Sequence, residues 1–127
     1  MAKTIDYEFK RGDTKVLNKF RPTENNGDPL ELSDVDQIYF TMKKNEQGNA
    51  ILKKSINNGI TLGEDGYYHI TLEAEDTSEL DAGTYKYDIE LNLMLDKLFV
   101  KTLIEGEITL LQDITTEGDR IWMKKYQ

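Results

Sequence analysis

From Thr84 to Leu93 the chain alternates without a break. Tyr85, Tyr87, Ile89, Leu91 and Leu93 occupy the odd positions, and Thr84, Lys86, Asp88, Glu90 and Asn92 the even ones. Side chains on a strand point to opposite faces in turn, so this stretch is a strand with one dry face and one wet face. Asp81, Ala82 and Gly83 form a turn just before it. Leu80, Asp81, Gly83 and Tyr85 together have the form of the corner that leads into strand F of immunoglobulin-like sandwiches, in which the tyrosine hydroxyl bonds back to upstream backbone. The fold predicted around this strand is all-β, an immunoglobulin-like antiparallel β-sandwich.

A chain of 127 residues has room for one domain with a real core. We divide it into a sandwich over 1–115 and a C-terminal tail over 116–127. Without cysteine, an immunoglobulin-type disulfide is impossible, and Tyr87 stands where the second cysteine of an antibody domain would be. The 24 acidic and 16 basic residues give a net charge of −8, which repels nucleic acid and anionic membrane at long range. No apolar run approaches the length of a membrane span, and the start MAKTIDYEF lacks a signal-peptide core. Neither nucleic acid nor membrane is therefore an expected partner.

Taken in order, Ile5, Tyr7 and Phe9 mark a first strand that Gly12-Asp13-Thr14 interrupts. A loose edge strand runs from Thr14 to Phe20, and Pro22, which cannot donate to a ladder, ends it. A polar connection rich in turn residues occupies 23–36. Ile38, Phe40 and Met42 then face inward from a strand over 37–44. A second strand over 50–55 completes a hairpin, whose lysine pairs Lys43/Lys44 and Lys53/Lys54 suggest a basic end. Ile60 and Leu62 make a short piece, and Tyr68, Ile70 and Leu72 line the next strand. A helical turn follows over 73–79, capped by Asp76 or Thr77. Beyond the central strand, 98–104 is apolar on both faces except at Lys101 and Thr102, and is expected to be covered on both sides. Gly106 separates it from a last strand over 107–114. The count is about eight strands without a long amphipathic helix, the pattern of a two-sheet sandwich.

Catalysis needs a nucleophile with a base, paired carboxylates or a metal cage. The chain has no cysteine, no phosphate-binding glycine loop and no His-x-x-x-His pair, and its single histidine, His69, falls on the wet face of a strand. Asp34-Val35-Asp36 and Glu64-Asp65 are the densest carboxylates, but neither has EF-hand spacing, so both read as solvated turns. No catalytic residue, cofactor or metal is predicted. Tyr39 and Tyr67, both on outward faces, could instead form a sugar platform, which makes a secreted carbohydrate-binding or adhesion domain the alternative reading. The tail is of another kind: Ile121, Trp122 and Tyr126 sit among Arg120, Lys124 and Lys125. An apolar cluster after the last strand is expected to clamp the core or hook another chain. We assign Ile121, Trp122 and Tyr126 to an oligomer interface.

Several pieces in sequence also carry a family resemblance. They are Phe9-x-x-Gly12-Asp13-Thr14, Pro29-Leu30-Glu31-Leu32-Ser33, Ile38-x-Phe40-x-Met42-Lys43, Asp76-Thr77, and Leu80-x-x-Gly83-x-Tyr85-x-Tyr87-Asp88-Ile89. Their order and spacing resemble the small domains of tail and baseplate proteins of phages and prophages of Gram-positive bacteria, in particular the N-terminal domain of the baseplate upper protein. The resemblance covers about residues 5–115. It implies an immunoglobulin-like module for structure and attachment, without catalysis, made in the bacterial host cytoplasm and carried in the virion with tail or baseplate subunits as partners. The baseplate protein continues into a fibre-forming region that has no counterpart in this sequence, so the expectation is a free-standing adaptor. Gly12-Asp13-Thr14 is expected to be a strand break held by the aspartate side chain.

Overall fold

The structure, a computed structural model, describes residues 2–23, 34–45, 47–94 and 97–114. Among these residues the elements in chain order are β1 (Lys3–Thr4), β2 (Tyr7–Lys10), β3 (Lys15–Val16), β4 (Val35–Lys43), β5 (Ala50–Ile56), β6 (Gly59–Leu62), β7 (Tyr68–Leu72), α1 (Ala74–Thr77), β8 (Gly83–Met94) and β9 (Leu98–Leu111). The described residues are therefore all-β but for one helical turn, and no described helix is long and apolar enough to cross a membrane.

The strands join in one curled sheet, in the order β1-β9-β8-β4-β5-β6-β7-β3, with β2 also on β9. The curl brings both ends of the path onto a single core. Ile60, Tyr68, Ile70 and Leu72 of β6 and β7 share a cluster with Ile38, Phe40 and Met42 of β4, the odd residues of β8 from Tyr85 to Leu93, and Ile104, Ile108 and Leu110 of β9. Phe40 stacks on Tyr87 with ring centroids 5.6 Å apart, which ties β4 to β8 from within. Leu17 and Phe20 close the far side, although only Lys15–Val16 of that loose segment form a strand.

The pairings depart from the expected pattern in several places. Nine strands are present among the described residues rather than eight, and the sheet is mixed rather than purely antiparallel. β1 and β2 run parallel to β9, and β6 runs parallel to β5. The β5–β6 case has a local cause. Asn57 takes a positive φ of 67°, and reciprocal backbone bonds between Ser55 and Asn58 close a loop after which the chain continues in its former direction. Such a left-handed position suits asparagine better than most residues.

Gly106 does not separate two strands. β9 is continuous through it, and a Cβ built there would lie 2.1 Å from the Ile5 carbonyl oxygen and 2.9 Å from Asp6 Oδ1. The glycine is needed because the link between β1 and β2 crosses β9 at that point. Ile5 N–H donates to the Glu105 carbonyl at 3.0 Å, Glu107 N–H donates to Asp6 Oδ1 at 2.9 Å, and the Tyr87 hydroxyl donates to the Ile5 carbonyl at 2.5 Å. Tyr87 thus fastens the N-terminal segment to the central strand.

The helical turn is present, but Glu73 is its N-cap and Asp76 its third residue. Asp76 Oδ2 accepts from Glu73 N–H at 2.7 Å, reaching back as the third residue of a capping box does. Thr77 is fully buried, and its hydroxyl accepts from Gly12 N–H at 2.8 Å. The turn at Gly12-Asp13-Thr14 is therefore held by Thr77 and by the Asp13 N–H to Lys10 carbonyl bond, not by the aspartate side chain.

Candidate interaction surface

The corner residues are brought together at the start of β8. Tyr85 is almost wholly buried, and its hydroxyl donates to the Asp81 carbonyl at 2.6 Å. Burial raises the Tyr85 phenol above its ordinary value, and the nearby Asp81 carboxylate adds to the shift. Gly83 takes a φ of 146°, and Leu80 packs against the core. Asp81 and Ala82 at the turn itself are exposed, so burial is confined to the tyrosine ring. The predicted interface residues Ile121, Trp122 and Tyr126 lie outside the described residues.

The lysines do not gather at one hairpin end. β4 and β5 pair as expected, but Lys53 and Lys54 lie opposite Thr41 and Phe40, midway along the strands. Lys54 Nζ meets Asp76 Oδ2 at 2.7 Å, its stem passing over Gly59, and Lys44 Nζ sits 4.5 Å from the Tyr85 ring centroid. The sugar platform is not assembled either. Tyr39 and Tyr67 are on separate strands and loops, both half-buried, and the Lys19 ammonium covers the Tyr67 ring at 4.7 Å. Asp65 is engaged by its own turn. It accepts from Tyr67 N–H at 3.0 Å, contacts His69 Nε2 at 3.2 Å and meets Lys19 at 3.1 Å, and these partners hold its carboxyl at about 2.

A shallow groove of about 790 Å³ lies on the outer face of β4, β8 and β9. Rows of directly opposed residues cross it: Lys43, Lys86 and Glu107, then Thr41, Asp88 and Glu105. Lys86 and Glu107 pair at 2.8 Å. Asp88 faces Glu105, a like charge, and desolvation first, then Glu105, raises its carboxyl above the ordinary range while Lys43 opposes them. Among the described residues no three His, Cys, Asp or Glu side chains come together to hold a metal.

The largest cluster of exposed apolar side chains among the described residues is at the far end of the β8–β9 hairpin. Met94, Leu98, Phe99 and Val100 are each between 49% and 53% exposed, contrary to the expectation that this stretch is covered on both sides. Its orientation depends on a bulge. Ile89 pairs with Ile104 but Glu90 pairs with Thr102, so Leu103 is an extra residue in β9. The shift places Phe99 opposite Leu93 on the core side, and sets Val100 opposite Asn92 and Leu98 opposite Met94 on the outer side. Asn92 is 9% exposed, and its side-chain oxygen is buried without a partner.

The same stretch has an open edge. On the side of β9 away from β8, β1 pairs with Ile104 and Glu105 and β2 with residues Ile108 to Leu111. Leu98 to Thr102 have no ladder partner there among the described residues. An unpaired strand edge flanked by apolar side chains is a template for another strand. Val16, Ile51, Leu62 and Ile114 are also exposed but scattered, and Leu111 lies at the other end of β9.

No family model and no curated protein matches this chain.

Proposed function

We propose that this protein is a non-catalytic assembly component of a phage or prophage tail, a baseplate-associated adaptor built on an immunoglobulin-like sandwich. The observation that supports the assembly reading best is the open, apolar β9 edge at the end of the hairpin. It exposes four large hydrophobic residues at one end of a chain of net charge −8, and clustered apolar surface of this kind marks protein contacts. Its mechanism is interface formation, with apolar burial supplying affinity and the surrounding carboxylates rejecting wrong partners. The curl of the sheet around one core and the Tyr85 to Asp81 bond are the features that favour the immunoglobulin-like description. The tail assignment rests on the motif resemblance alone.

The test is composition of the particle. Tail particles purified from the bacterium that encodes the chain should contain it at a fixed ratio to the other tail subunits by quantitative mass spectrometry. Its absence from intact particles, with the protein expressed in the same cells, overturns the proposal. Truncation after residue 116 addresses the tail separately: an interface through Ile121, Trp122 and Tyr126 requires the shortened protein to have a lower oligomeric state in light scattering, and an unchanged oligomeric state removes those residues from it.

A further inference from the structure

The geometry points to the Leu98–Thr102 edge as a two-fold seam, in which β9 of one protomer pairs antiparallel with β9 of a second copy of this chain. The inference deepens the assembly reading above and rests on it for its biological setting.

The occupant follows from position and charge. Among the described residues, the stretch without a ladder partner runs from Leu98 to Thr102, because β1 takes over the edge at Ile104. Its midpoint is Val100. A two-fold axis through Val100 sets Leu98 opposite Thr102 of the copy and Phe99 opposite Lys101, with no like charges directly opposed. Moving the axis to Phe99 would oppose Lys97 to Lys101, and moving it to Lys101 would oppose that lysine to itself and drive Leu98 against Ile104, where β1 already sits. One register is thus selected by the same edge on both sides, as an isologous contact requires. The strand is also free of carboxylates from Lys97 to Ile104, so two chains of net charge −8 can approach here without opposing acids along the seam. Directly opposed side chains across an antiparallel pair come within contact distance, so Val100 would meet Val100 at the axis.

The experiment is analytical ultracentrifugation of the full 127-residue chain over a concentration series, with charge reversal at the axis. Val100 is half exposed, so its replacement leaves the core intact, and circular dichroism checks that each variant keeps the strand signal. The wild type is expected to dimerise. Val100→Lys and Val100→Glu alone are each expected to weaken association about ten-fold or more, because like charges meet at the axis, and an equimolar mixture should recover it. Should a charged variant fail to fold, Val100→Cys supplies the second readout. The chain has no other cysteine, so mild oxidation should give a disulfide-linked dimer from Val100→Cys and little from Ile51→Cys, an exposed position on β5. A dimer that survives both charged variants places the contact elsewhere and overturns the seam. A wild-type chain that stays monomeric up to about 1 mM does the same. Neither result touches the particle-composition test, which judges the assembly reading by itself.

Discussion

Two single residues hold this fold at its centre, and each does so through one atom. At Tyr85 the atom is the hydroxyl oxygen, which donates to the Asp81 carbonyl at 2.6 Å inside a nearly closed environment. Tyr85→Phe keeps the ring and leaves that carbonyl short of a donor, so the expected loss is about 1 kcal/mol or somewhat more in urea unfolding. A variant as stable as the wild type would mean that the bond adds nothing to stability at this corner. At Gly106 the decisive feature is the missing Cβ. A methyl group there would meet the Ile5 carbonyl oxygen at 2.1 Å, and Ile5 is held by Glu105 and Tyr87 while the neighbouring Asp6 side chain accepts from Glu107 N–H. Gly106→Ala should therefore cost about 1–3 kcal/mol despite alanine's better strand propensity. Unchanged stability would show that the N-terminal segment can lift off β9 freely. An alternative in which Gly106 merely ends a strand predicts no such penalty.

At the scale of elements, β8 could be read from the sequence and β9 could not. Alternation from Thr84 to Leu93 assigns each β8 side chain to a face without knowledge of its neighbours. In β9 the extra Leu103 reverses the parity, so Phe99 and Ile104 share the core side although one position is odd and the other even. Nothing in the local pattern reveals that reversal, because a bulge exists only relative to a partner strand. The same limit hid the role of Gly106, whose neighbours Ile5 and Asp6 lie about a hundred residues away. It also hid the parallel pairing of β1 and β2, a long-range contact with no local signature. The open edge was missed because an apolar run on both faces is the usual mark of a buried strand. The outer face of β4, β8 and β9 yields a prediction at this scale. Asp88 opposes Glu105 and is desolvated, which raises its carboxyl, so the charged form is disfavoured by folding. The resulting penalty is absent below the ordinary carboxylate range, grows as pH rises through it, and is complete above the raised value. Asp88→Asn should accordingly be more stable than the wild type at pH 7, with the advantage disappearing as pH falls below about 4. Denaturant midpoints measured at pH 7 and pH 3 decide it, and a variant less stable at pH 7 would show that Lys43 outweighs burial and Glu105.

For the whole molecule, the proposed seam must form despite a strongly acidic composition. A net charge of −8 opposes the approach of a second copy, and the opposition falls with ionic strength because the Debye length shrinks from about 10 Å at 0.1 M salt to about 3 Å at 1 M. Contact through the proposed β9 seam would bury Leu98, Phe99 and Val100, and the only charged side chains on that edge are lysines, which the favoured register keeps from direct opposition. Raising salt therefore removes the repulsion between the acidic bodies without weakening the apolar seam. Self-association should strengthen as sodium chloride is increased from about 0.05 M to about 0.5 M, within the range where screening changes most. Sedimentation equilibrium of the full chain at these two salt concentrations provides the check. Weaker association at high salt would identify a contact held by opposite charges, such as Lys43 of one protomer against the Asp88 and Glu105 face of another. That outcome would transfer the interface from the hairpin end to the groove.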